Sequence, residues 1–159
     1  MAIRILKEVS RDGGRLPATG ASVIAGVALE LGAAGSVQPY TGAAAAEPWG
    51  LASDSNVTQP LQGAGGLTVG VGFDYTNFNR GGLIGAFQNG GVFELYNDGT
   101  GNPMDITATF VPNAAVYSGA TGLADDATAQ AGRDKLGTCV SVTNAGHATA
   151  MRLVLKLSV

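Results

Sequence analysis

Acid–base or metal chemistry in this chain would have to be built from Asp54, Asp74, Asp98, Asp105, the adjacent pair Asp125-Asp126 and the sole histidine, His147. A hydrolase using Asp125, Asp126 and His147 is the enzymatic form these residues allow. The sequence supplies no second histidine and no G-x-S-x-G, H-E-x-x-H or P-loop motif to complete such a site. Asn97-Asp-Gly-Thr-Gly-Asn102 is rich enough in oxygen to hold a cation weakly, but turn chemistry alone explains it, and the spacing of a calcium loop is absent. His147 lies in Asn144-Ala-Gly-His and reads as an exposed turn residue. Cys139, the only cysteine, excludes an internal disulfide or a cysteine zinc site. It falls in the strand-like run 136–142 and is expected to be a small core residue. No catalytic residue, metal ligand or cofactor is assigned, and the chain is not expected to be an enzyme.

Chemistry by contact is better represented. Trp49, in Glu47-Pro-Trp-Gly-Leu-Ala-Ser-Asp54, either packs its indole on the end of a domain or stacks on a ligand. A carbohydrate-binding β module would use Trp49 with Tyr40, Tyr75 and Phe78. Gly70-Val-Gly72 lacks the third glycine and following helix of a dinucleotide site.

Charge is divided along the chain. Residues 1–15 carry Arg4, Lys7, Arg11 and Arg15 against Glu8 and Asp12, and residues 133–159 carry Arg133, Lys135, Arg152 and Lys156 against Asp134. Between them the only base is Arg80, against nine acids. Termini of compact domains often lie close together, which would gather a positive patch. With a net charge of −3 and no basic stripe with interleaved aromatics, nucleic acid is not an expected partner.

The elements that must position these groups are short strands. The 159 residues suit one domain. The 25 glycines are more than double the usual share of about 7 %, whereas the 13 % of charged residues is half the usual proportion of about 25 %. Such a surface is often covered by partner subunits. No run approaches the ~18 apolar residues of a membrane span, so no membrane partner is expected, and Met1-Ala-Ile-Arg-Ile-Leu-Lys-Glu lacks a signal peptide's apolar region, which places synthesis in a cytoplasm. Residues 1–20 read as an extended N-terminal arm ending in Arg11-Asp-Gly-Gly-Arg15, and 21–159 as a single β domain.

Within that domain, 22–31 alternates Val27, Leu29 and Leu31 with Ala28 and Glu30, and 33–40 forms a hairpin return ended by proline. Residues 66–75 form a strand with one glycine face. Runs 83–87 and 91–96, joined by Gln88-Asn-Gly-Gly, read as a hairpin, and 105–111 as a further strand. From Asn113 to Val159 the pattern is strand, turn, strand, turn, strand, and 125–134 has room for one or two helical turns. About nine or ten strands at this spacing imply an all-β fold, a small antiparallel β-barrel or sandwich (β-tulip-like) with the arm appended.

The ordering of Val23-Ile-Ala-Gly-Val-Ala-Leu-Glu-Leu31, Glu47-Pro-Trp-Gly-Leu-Ala-Ser-Asp54, a glycine-rich middle, Ala115-Val-Tyr-Ser-Gly-Ala-Thr-Gly-Leu123, Leu136-Gly-Thr-Cys-Val-Ser141 and Arg152-Leu-Val-Leu-Lys-Leu157 resembles the decoration, or cement, proteins of tailed-bacteriophage heads. The resemblance is one of pattern over most of residues 20–159. It implies an oligomeric β domain on the capsid exterior of a virion, with the major capsid protein as partner; the oligomer expected is a homotrimer at a three-fold position. On that expectation Arg4, Lys7, Arg11 and Arg15 of the arm bind an acidic capsid surface, and Trp49, Arg80, Arg152 and Lys156 are interface candidates. The alternative is the carbohydrate-binding module on a virion or cell surface.

Overall fold

The computed structural model describes residues 3–7, 10–11, 14–43, 46–53, 55, 83–88, 90–97, 101–119, 121–126 and 134–159. The strands are β1 (Ile3–Lys7), β2 (Ser10–Arg11), β3 (Ala28–Leu31), β4 (Val37–Pro39), β5 (Gly50–Ala52), β6 (Ala86–Gln88), β7 (Val92–Tyr96), β8 (Ala115–Ser118), β9 (Ala124–Asp125), β10 (Lys135–Thr143) and β11 (Arg152–Leu157). They form two antiparallel sheets, in the orders β1-β7-β11-β10-β8-β9 and β2-β6-β5-β3-β4. The fold is an all-β sandwich, as the alternating runs require, and the described strands close no barrel.

The two sheets are buried differently. In the six-stranded sheet, Phe93, Leu95, Leu153, Leu155 and Leu157 point into the core while their neighbours along β7 and β11 point away, so one face is covered and one is not. The five-stranded sheet is covered on both faces. Ala28, Leu51 and Phe87 join the core between the sheets, whereas Leu29, Ala52 and Ala86 pack with Val23, Val27 and Val37 in a second cluster behind it. This overturns the half-buried reading of 22–31: regular strand begins only at Ala28, Leu31 is exposed and Glu30 is buried. The Glu30 carboxylate is satisfied by Gln38 Nε2 at 2.6 Å and Thr41 N at 2.8 Å, which secures the β3–β4 return.

Three further expectations are corrected. The runs around Asn89-Gly90 are not hairpin partners, since β6 belongs to the five-stranded sheet and β7 to the six-stranded one. A local Asn-Gly signal does not choose the neighbour of a strand, and here the chain passes from one sheet to the other between Gln88 and Val92, with the Phe87 and Phe93 rings 5.0 Å apart. Residues 105–111 form no strand, because the Asp105 carboxylate accepts from Thr107 N at 2.8 Å and Thr107 Oγ1 at 2.7 Å and holds a turn. Asp125, expected to open a helical segment, ends β9, and 127–133 lie outside the described residues, as do the strand expected at 66–75 and the turn residues 98–100.

The stretch expected to extend as an arm lies, over its described residues, along the sandwich. β1 pairs with β7 from Ile3↔Leu95 to Lys7↔Val92, β2 pairs with β6, and Ile3 is in the core.

The sheets are also linked by a polar bond. Fully buried Tyr40, just past β4, donates its hydroxyl to Asp134 Oδ2 at 2.8 Å, at the start of β10. Burial, then the Asp134 carboxylate, pushes the phenol up to about 12. Its folded value exceeds the unfolded 10.0, so this contribution to stability is complete below pH 10 and is lost as pH rises toward about 12. Tyr40→Phe should flatten that alkaline decline and cost about 1–2 kcal/mol at neutral pH, measured by urea unfolding at pH 7, 10 and 11.5.

Candidate functional site

The uncovered face of the six-stranded sheet gathers Arg4 and Lys7 from one end of the sequence and Arg152 and Lys156 from the other. β1 and β11 flank β7 on its two sides, so the strand register fixes what meets on this face. Arg4 lies opposite Glu94, which lies opposite Val154. One step along the sheet, Lys7 and Lys156 face each other across Val92. At the other end Arg152 is opposite Tyr96. Arg4, Lys7, Arg152 and Lys156 are all exposed.

Glu94 is the one carboxylate on this face of β1, β7 and β11, and it is only 13 % exposed. It takes Arg4 at 2.8 Å and Arg152 at 3.7 Å. The Arg152 guanidinium also lies over the Tyr96 ring, 4.7 Å from its centroid. Arg4 and Arg152 are 63 % and 47 % exposed, so these pairs contribute little to stability and mainly orient the guanidinium groups. Among the described residues of β1, β7 and β11, four cations against one carboxylate leave an excess positive charge on this face, beside Val92 and Val154. Such a charge excess suits an acidic protein face.

Lys135, the first residue of β10 and opposite Tyr117 of β8, extends the row toward β8 and was not among the interface candidates of the sequence. Its signal was present in the basic count of the C-terminal segment, but the bulge between Lys135 and Gly137 makes its facing unreadable from alternation.

The other candidates are dispersed. Arg15 lies on the five-stranded side, where its backbone exchanges hydrogen bonds with Ile84 at 2.8 and 2.7 Å and its guanidinium stands 4.8 Å from the centroid of Trp49. Trp49 is half-buried against the second cluster. Arg11 is placed by its backbone pairing with Phe87, its side chain lying outside the description, and Arg80 is outside the described residues. Of the aromatics a sugar site would use, Tyr40 is fully buried and Trp49 is covered on one face by Arg15, while Tyr75 and Phe78 are outside the described residues.

His147 is exposed in the β10–β11 turn, its Nδ1 3.2 Å from Ala150 N. Asp125 pairs with Tyr117, which pairs with Lys135 at the opposite end of β10. A nine-residue strand therefore separates them by roughly 25 Å at ~3.3 Å per residue. The structure does not bring Asp125, Asp126 and His147 together. Cys139 is buried, and burial pushes its thiol up, as a core residue requires.

No family model matches this chain, and no curated protein matches it by sequence. By fold it is similar to a chain in the solved capsid of Myoviridae Phage XM1, with a TM-score of 0.55 and 16 % identity, covering 94 % of this chain and 83 % of that one. At that identity the likeness is one of architecture, and it spans both sheets rather than a local motif.

Proposed function

We propose that this protein is a structural component of a phage virion that binds the exterior of the capsid and reinforces the shell of the major capsid protein. The observation that carries the reading is the likeness in fold, over 94 % of the chain, to a protein of a phage capsid. The basic, uncovered sheet face supports it by offering a docking surface complementary to an acidic shell. A protein partner is favoured over nucleic acid, because the Tyr96 ring is occupied by Arg152 and is not offered to a base. On this reading the protein is made in the host cytoplasm, has no catalytic role, and acts as a homotrimer, which sedimentation equilibrium would measure.

The test is to mix the purified protein with shells assembled from the major capsid protein of the same phage. The expected result is saturable co-sedimentation at a fixed ratio and a raised disassembly temperature of the shell. Absence of saturable binding, together with retention on immobilised glycans, would transfer the protein to the carbohydrate-binding class. Deleting residues 1–15 is not a clean version of this test, since it removes two strands and the core residue Ile3. Point substitutions on the exposed face avoid that.

A further inference from the structure

We infer that the outer edge of β1 accepts an extended acidic segment of the shell protein as an added strand, an inference that rests on the capsid reading above. A sandwich of two open sheets has four edge strands, and an uncovered edge presents a row of backbone donors and acceptors ready to pair. In this fold two edges are occupied by the chain itself. β4 is bordered by residues 16–18, with Val37 N donating to Leu16 O at 3.0 Å and Ala18 N to Val37 O at 2.8 Å. β9 is bordered by residues 103–105, with Ala124 N donating to Pro103 O at 2.9 Å and Asp105 N to Ala124 O at 2.8 Å. The third edge, β2, is two residues long. β1 has five residues and, among the described residues, pairs only with β7.

Its side chains favour a partner. Ile3 is buried, but Ile5 and Leu6 are 49 % and 46 % exposed. They alternate across the strand, so an added strand would find an apolar contact on each face. Edge strands are commonly blunted by charge, proline or a bulge; in β1 Arg4, Lys7 and the bulge after Ile5 oppose a like-charged partner but leave Ile5 and Leu6 open to an acidic one. The bulge between Ile5 and Lys7 ends the regular stretch after Ile5, which sets the accepting length at a few residues.

Charge selects the occupant. A second copy pairing antiparallel about Ile5 would set Arg4 of each chain within about 6–8 Å of Lys7 and Arg4 of the other, on strands ~4.8 Å apart, and like charges across strands are unfavourable. A segment carrying Asp or Glu opposite Arg4 and Lys7 gains where the second copy loses. Such pairing draws its affinity from main-chain hydrogen bonds and its selectivity from those side chains.

Hydrogen exchange read by mass spectrometry, on the isolated protein and on the protein bound to shells of the major capsid protein, tests the inference. In an edge strand alternate amides point outward. About half of the β1 amides should therefore exchange rapidly in the isolated protein and become at least ~10-fold slower in the complex. Ile5→Asp, at an exposed site, should weaken shell binding at least ~10-fold with an unchanged circular dichroism spectrum. Full protection of β1 in the isolated protein would overturn the inference, since the chain itself or a second copy would then hold the edge. Shell binding with β1 exchange unchanged would overturn it while leaving the capsid reading intact. Failure to bind shells at all would overturn both.

Discussion

Reversing charge at Lys7 and Lys156 together, by Lys7→Glu and Lys156→Glu, is expected to slow association with capsid shells about 100-fold at low salt, within the range over which charge steers protein encounters. These two lysines face each other across Val92 and neither pairs with Glu94, so the change leaves the Arg4–Glu94–Arg152 group intact. Both side chains are exposed, so the melting temperature should stay within a few degrees of the parent. The effect should shrink as ionic strength rises past about 0.15 M, where the screening length falls to ~8 Å. Arg15→Gln is the control, since Arg15 stands over Trp49 on the other side of the sandwich. Equal weakening by Arg15→Gln, measured by stopped-flow light scattering, would reject the assignment of the docking surface to the six-stranded sheet.

The largest stability effect is expected at Gly122, in the loop between β8 and β9. Its carbonyl accepts from Ala28 N at 2.7 Å, tying this loop to β3 of the other sheet. Its φ is +74°, and a Cβ there would meet Ala28 O at 2.5 Å and Tyr40 N at 3.2 Å. Gly122→Ala therefore combines a left-handed backbone cost of about 1–2 kcal/mol with overpacking of about 1–3 kcal/mol. At roughly 2–4 °C per kcal/mol for a chain of this size, the melting temperature should fall by about 10 °C. Gly146 separates the two costs. It has nearly the same φ, +77°, but nothing within 4 Å of a Cβ. Gly146→Ala should lose only the backbone part, and equal losses at the two positions in calorimetry would show that the contact with Ala28 contributes nothing.

The C-terminal strands were legible in the sequence because β11 shows water on one side and core on the other, which writes alternation directly into Arg152, Leu153, Val154, Leu155, Lys156 and Leu157. The five-stranded sheet was harder to read for the same physical reason. With both faces covered, Gly50, Leu51 and Ala52 carry no alternation, and only the second cluster behind them explains why small residues recur there. Glu30 misleads in the opposite direction: it looks solvent-facing until the Gln38 and Thr41 donors are in place. The candidate site was half legible. The basic composition of both ends was visible, and the structure brings Arg4, Lys7, Arg152 and Lys156 to one face. That Arg15 would turn instead to Trp49 depends on pairing between Arg15 and Ile84, residues far apart in sequence, which no local pattern encodes.

The arrangement of β1 and β11 on either side of β7 has a mechanical consequence. Both run antiparallel to β7, and therefore parallel to each other, with Ile3 aligned near the Leu95 end of β7 and Leu157 beyond its Val92 end. Tension between Ile3 and Leu157 runs along the strands, so it loads the two hydrogen-bond ladders in shear, all rungs together, instead of peeling them one at a time. A force applied across the sheet, perpendicular to the strands, meets no such resistance. The sandwich is therefore anisotropic, stiffest along the strand direction of its uncovered face.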